Sequence, residues 1–353
     1  MAKPHINFTL VQALRGLAAL WVVLFHAAEG GHIERLRLVM PKHLFAILFD
    51  AGHYGVAIFF ALSGFVIAHS LRDAVVTPLF AGKFILRRSI RLDPTYWATI
   101  ALILAQQFLK GGLTGGTGTL VSVGQIAAHL FYATDVLGYR QINVVFWTLC
   151  FEIQFYLGFI LLLVLERSLS LRFGKQIGAI VRSTMFVLAA AGALHLYHDL
   201  HVGIALIMWH SFFVGITAYW AAVHGLRWLV ALIALAGVMA VYGSTGDLIS
   251  AATALLLYIA MQTGRITTAL SSAPLQWLGM ISYSLYLTHN FVAGSAFWAL
   301  GKVVHGGSGL SDAFGLIVVT GVCLVAAFVM WWLVERPSHN LAKYIGRARR
   351  PSS

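Results

Sequence analysis

Four ionisable side chains stand inside apolar stretches of this chain: Arg15, His26, Glu152 and His289. A charged group in hydrocarbon costs about 2.5 to 3.5 kcal/mol on insertion scales, so each needs a partner or a chemical task. Arg15 and His26 are eleven residues apart. At about 100° per residue they fall on one face of a helix, separated by roughly 16 Å along its axis. They cannot bond each other, but they can touch opposite ends of one long ligand lying beside that helix. A neutral histidine can accept a hydroxyl proton, while a carboxylate fixes its tautomer and stabilises the imidazolium. His26 with Glu152 therefore points to proton transfer, with His289 as a second proton carrier.

The elements that position these groups follow from composition. Of 353 residues, 59% are hydrophobic and only 10% charged, with a mean hydropathy of +0.83. Soluble domains carry about 25% charged residues, so a bilayer must be the solvent here. Runs such as Val181 to Leu196 and Leu248 to Met261 are continuous rather than alternating, which excludes a transmembrane barrel. The pattern predicts an all-α polytopic bundle of about ten spans, beginning near Leu10, Gly52, Pro94, Val144, Ser183, Val202, Leu226, Asp247, Pro274 and Leu310. One domain covers residues 1–353, with a membrane core over 10–336 and a basic tail over 337–353. Counting 1.5 Å per residue from the span starts puts His26 about 22 Å, His289 about 21 Å and Glu152 about 18 Å from the inner edge of the core. Three titratable groups from three helices thus share one level.

Charge sorts the two faces. Seventeen of the 24 Lys and Arg residues fall on the side that holds the termini, and the net charge is +12. Positive residues collect inside, so both termini are expected in the cytosol. The basic residues are spread over short loops and not gathered on one domain, which argues against nucleic-acid binding. Leu79 to Trp97 reads as an amphipathic helix on the inner surface, with Pro94 opening the next helix. Its Arg88 and Arg91 suit either phosphates or anionic lipid head groups. The segment 111–124 is rich in glycine and reads as an outer loop; it has no Gly-Lys-Ser/Thr and is not a P-loop. His195, His198 and His201 recur every three residues, so only two share a helix face and no metal centre is expected. Cys150 and Cys323 both lie in apolar spans, away from any disulfide framework. Residues 1–9 lack a cleavable leader pattern, so the first span is expected to be retained.

Five runs, in order, resemble the acyltransferase 3 family of integral membrane acyltransferases. They are Leu10–His26 (LVQALRGLAALWVVLFH), Gly55–Phe65 (GVAIFFALSGF), Arg88–Trp97 (RSIRLDPTYW), Phe146–Tyr156 (FWTLCFEIQFY) and Ser282–His289 (SYSLYLTH). The resemblance spans about Leu10 to Pro337. Two details depart from it: Asp93 stands where an aromatic or apolar residue is usual, beside Arg91, and Thr148 replaces a serine.

The resemblance implies O-acylation, usually O-acetylation, of carbohydrate or lipid-linked glycan hydroxyls in the bacterial inner membrane. Cytosolic acyl-coenzyme A, acetyl-coenzyme A in the family's usual chemistry, is the donor substrate, and no tightly bound cofactor or metal is implied. In this picture Arg15 and His26 are essential, Glu152 orients or charge-balances His26, and Arg88, Arg91 and Arg15 take the donor's phosphates. Ser63 and Tyr96 line the donor channel or donate hydrogen bonds. A covalent acyl-histidine is the variant chemistry. The rival from another class is a transporter or proton-coupled flippase using the same buried Arg, His and Glu residues. The sequence leaves the oligomeric state open.

Overall fold

A computed structural model of the chain describes residues 8–114, 121–197, 203–303 and 307–345. Its ordered elements are helical throughout: α1 (Thr9–Glu29), α2 (Glu34–Val39), α3 (Lys42–Leu48), α4 (Gly55–Leu71), α5 (Pro78–Thr114), α6 (Val123–Leu130), α7 (Trp147–Phe173), α8 (Lys175–Ala193), α9 (Trp209–His224), α10 (Leu226–Tyr242), α11 (Thr245–Gln262), α12 (Ala273–Met280), α13 (Ser282–Val303), α14 (Gly309–Met330) and α15 (Arg336–Ile345). Among the described residues, seven helical stretches are long and apolar enough to cross a membrane, and α10 is a shorter apolar helix. The protein is an integral membrane protein.

Two expectations need correction. Pro94 does not start a helix; it lies inside α5, which runs unbroken for 37 residues. Proline removes one N–H from the ladder, but neighbours can hold the turn together. Here Asp93 accepts the Ser89 hydroxyl and, at 2.8 Å, the Tyr132 hydroxyl, while Tyr283 donates to the Leu92 carbonyl at 3.0 Å. Asp93 is thus a buried brace of α5. The glycine-rich segment is also helical as far as Thr114, and residues 115–120 of it lie outside the described residues. The tail likewise begins as helix α15, with 346–353 outside the described residues.

The chain gathers into two compact units, each discontinuous in sequence. The first comprises residues 1–22, 52–77 and 151–282. Its centre is α9, most of whose residues are buried, from Trp209 to Ala221. Glycines explain how closely α4 meets it: a Cβ on Gly64 would fall on the Phe212 carbonyl, and one on Gly215 on the Ala61 carbonyl. Such backbone-to-backbone crossings through small residues replace hydrophobic driving force in a membrane. Phe212 then stacks between Phe60 and Phe155, both at 4.3 Å. At the start of α9, His210 shares Asp247 at 2.6 Å with the head of α11, and His195 approaches the other carboxylate oxygen at 3.5 Å. His198 and His201 lie outside the described residues.

The second unit comprises residues 23–51, 78–150 and 283–353. The core of α13 in it is polar: Ser284, Thr288 and His289 are all buried. That polarity keeps α13 outside the set selected by hydropathy, although its hydrophilic atoms point into protein. His129 of α6, outside the spanning helices, is wholly buried; its Nδ1–H donates to the Gln125 carbonyl at 2.8 Å and its Nε2 accepts the Ile142 amide at 3.0 Å. Burial lowers its pKa below the ordinary 6.5, against smaller opposing hydrogen bonds and charges. The unfolded chain then takes up the proton first as pH falls, so this contribution is present above about pH 6.5 and lost below it. The purified protein should melt at a lower temperature at pH 5 than at pH 7.5, and His129→Gln should shrink the difference. An identical difference in both proteins would remove His129 as its source.

Candidate active site

The first helix carries Arg15 and His26 on one continuous stretch, as their spacing requires. Arg15 is half-buried. The next residue, Gly16, packs on the backbone of α12, where an added Cβ would sit 2.6 Å from the Gly279 amide nitrogen. That close approach fixes the helix at the level of the guanidinium.

Three turns on, in the second unit, His26 meets two groups. Its Nδ1 lies 2.7 Å from Glu29 Oε2, one turn away, and its ring centroid lies 5.2 Å from that of His289. Of the three groups expected at one level, these two histidines are neighbours in space. A carboxylate on Nδ1 selects the tautomer with its proton there, leaving the Nε2 lone pair of His26 as a base. His289 is fully buried, and its Nδ1 faces the carbonyls of Leu285 and Tyr286 at 3.1 and 2.8 Å. The same logic leaves its Nε2 as an acceptor, and that atom has no hydrogen-bond partner among the described residues. An imidazole nitrogen kept unpaired in a dry interior is costly, about 1 to 3 kcal/mol for an orphaned polar group. Both rings thus present Nε2 as a proton acceptor.

Glu152 belongs to the first unit and is held there by two hydroxyls. Ser63 donates to its Oε1 at 2.7 Å, and Tyr156, one turn along α7, donates to the same oxygen. Ser63 is thus a partner of the carboxylate. Tyr96, in the second unit, is fully buried, stacked on Tyr132 at 4.8 Å and edge-on to Phe146 at 4.8 Å. Its hydroxyl has no hydrogen-bond partner among the described residues.

Arg88 and Arg91 are half-buried on α5. Arg91 Nε donates to His339 Nε2 at 2.8 Å. His339 in turn lies 3.8 Å from Glu335, whose other oxygen accepts the Ser284 hydroxyl at 2.6 Å. Glu335 is 2% exposed and ends a π-helical turn, Trp331–Glu335, between α14 and α15. Wide turns of this kind re-aim one side chain and often mark functional positions. Thr148, the second departure in the motifs, is tied to Tyr286 at 2.8 Å and to the Val145 carbonyl.

Two further carboxylates bear on candidate groups: Glu29 touches His26, and Glu335 reaches Arg91 only through His339. Glu29 was masked by the Gly30-Gly31 break that follows it, although its three-residue spacing from His26 places it on the same helix face. Glu335 was masked by standing next to Arg336, which reads as a boundary charge; its apolar run of Trp331 to Val334 was the available signal. Among the described residues no group of three or more His, Cys, Asp or Glu side chains is placed to hold a metal.

The acyltransferase domain model Acyl_transf_3 matches residues 10–336. Among curated proteins, the chain is similar to Nodulation protein 10 of Rhizobium leguminosarum bv. viciae, 27% identical over 95% of this chain and 93% of that protein. It is also similar to the Exopolysaccharide production protein ExoZ of Rhizobium meliloti, 29% identical over 93% of this chain and 96% of that protein. No solved structure matches. With the family match running from the head of α1 to the π-helical turn, and carrying every motif singled out above, the chain belongs to the acyltransferase 3 family and is an acyl-transferring enzyme.

Proposed function

We propose that the protein moves an acyl group, most simply acetyl, from acyl-coenzyme A to a hydroxyl of a polysaccharide or lipid-linked glycan. The observation that carries this reading is the His26 ring, with Glu29 on Nδ1 at 2.7 Å and the buried His289 ring at 5.2 Å. His26 Nε2 takes the acceptor's hydroxyl proton as the oxygen attacks the thioester carbonyl. The carbon–sulfur bond then breaks, and the imidazolium returns the proton to the thiolate. Glu29 holds the tautomer and stabilises the imidazolium, the orienting role first expected of Glu152. Glu152, fixed by Ser63 and Tyr156, is a carboxylate of the first unit held ready by two hydroxyls. Tyr96 is a buried packing residue in this scheme, with a hydroxyl able to donate to the donor.

Arg91, held by His339, and Arg88 take the phosphates of coenzyme A. Guanidinium groups suit this role because their fork matches phosphate oxygens. The exopolysaccharide-production name of one relative supports a glycan acceptor. Adding α5, α10 and α13 to the seven cross-competent stretches gives ten spans. With the charge bias this supports both termini in the cytosol of a bacterium, in its inner membrane, so that donor and basic surface share a side. The family match over 10–336 supports one catalytic domain.

The test is transfer of label from acetyl-coenzyme A to glycan in membranes containing the wild-type protein. Label should appear in glycan, and Arg88→Ala/Arg91→Ala should raise the donor KM about tenfold or more, in line with the loss of charge-assisted hydrogen bonds. No transfer by wild type to any glycan pool rejects the reaction. An unchanged KM returns both arginines to lipid head groups.

A further inference from the structure

The first unit contains a cleft of about 480 Å³ where α4 and α9 end and α10 begins. It is lined by Arg72, Arg182 and Arg227, with Trp220, Trp228 and Phe159 among its apolar walls. None of these belongs to the motifs above, and the cleft uses none of His26, Glu152, Arg88 or Arg91.

Its cations are not equally occupied. Arg182 is paired with Glu166 through its Nε at 3.0 Å and through its Nη2. Arg72 Nη1 donates to the His69 carbonyl and to His69 Nε2, each at 3.0 Å, and its Nε lies 3.5 Å from Asp73. His69 is itself tied to the Tyr219 hydroxyl at 3.2 Å, so Arg72 is held in place from two sides while its second terminal nitrogen is left for a further acceptor. Arg227 has no hydrogen bond or ion pair among the described residues. Three guanidinium groups against the two carboxylates Glu166 and Asp73 leave the cleft short of one negative charge. Beside them the Trp220 and Trp228 rings meet at 4.5 Å and 54°, which presents both flat and edge surfaces to whatever enters.

An anion alone would satisfy the arginines and leave the indoles idle; an apolar chain alone would leave Arg227 uncompensated. We propose that this cleft binds a phosphate ester, with its phosphate on Arg227 and Arg72 and its flat or apolar remainder against Trp220, Trp228 and Phe159. Arginine is suited to phosphate by its bidentate fork, and indole faces suit either a planar base or an acyl chain. Two sources share this chemistry: a soluble nucleotide and a lipid head group. The site stands whichever reaction the enzyme catalyses.

The test uses the full chain in phosphatidylcholine nanodiscs. Equilibrium dialysis with labelled adenosine 3′,5′-bisphosphate probes the soluble source; native mass spectrometry after doping with phosphatidylglycerol probes the lipid. The variants are Arg227→Gln alone, Arg72→Gln with Arg227→Gln, and Arg265→Gln as an exposed arginine outside the cleft. At least one probe should bind wild type and lose about tenfold or more in affinity in the double variant, with Arg265→Gln unchanged. Nucleotide binding assigns the soluble source, and lipid retention without nucleotide binding assigns the head group; either supports the site. Binding of neither probe to wild type, or equal binding by wild type and the double variant, overturns it. Should the double variant fail to fold, Arg227→Gln, which removes no hydrogen bond or ion pair among the described residues, carries the same comparison.

Discussion

Replacing His26 by alanine should lower acetyl transfer by about 10²- to 10⁴-fold at equal protein abundance in the membrane, the range a positioned general base contributes. The size follows from what surrounds the ring. Glu29 fixes the Nδ1 proton from one side, so the Nε2 lone pair is presented without a search among tautomers. His289, buried beside it, cannot simply take over, because its Nδ1 is turned to two backbone carbonyls of its own helix. Glu29→Gln should therefore keep part of the activity: the amide can still accept from Nδ1 but no longer stabilises the imidazolium. A loss of about tenfold to a hundredfold is expected, by analogy with partners that orient ligating or catalytic histidines. The measurement is initial rate of labelled acetyl transfer in membranes, normalised to protein detected by an affinity tag. Equal rates for wild type and His26→Ala would strip His26 of its role. A Glu29→Gln rate equal to wild type would return the orienting function to another group. His26→Ala leaves a small hole near the end of α1, so loss of abundance is not expected; a chain that still accumulates and no longer transfers is the distinguishing outcome.

The second large effect concerns assembly. Gly64→Val or Gly215→Val should abolish accumulation of folded protein, because each new side chain would fall on a carbonyl of the facing helix. Overpacking a core usually costs 1 to 3 kcal/mol, relieved by side-chain shifts. At this crossing the obstacle is backbone, so relief requires α4 and α9 to part, and Phe212 leaves its place between Phe60 and Phe155. Gly237→Ala is the control: nothing lies within 4 Å of a Cβ there, and it exchanges glycine for a better helix former. Membrane abundance and the thermal midpoint in detergent report the result. Gly64→Val protein that accumulates and melts like wild type would show that the crossing tolerates separation.

The local chemistry of the sequence carried much of this. Hydropathy over 18 or more residues must yield helices in a bilayer, since no other open structure satisfies its backbone there. Helical periodicity alone set Arg15 and His26 on one face, and counting depth alone put His26, His289 and Glu152 at one level. These are properties of one chain segment or of a shared solvent, so they need no knowledge of packing.

What only the tertiary structure decided depends on partners distant in sequence. Whether Pro94 breaks α5 turned on Tyr132 and Tyr283 bracing Asp93 and Leu92, which no window around the proline contains. The glycines that let α4 touch α9 lie some 150 residues apart and look, one at a time, like any flexible position. Periodicity follows from bonds along the chain; contact follows from which surfaces the folded chain excludes from lipid, and that is settled by all the helices together.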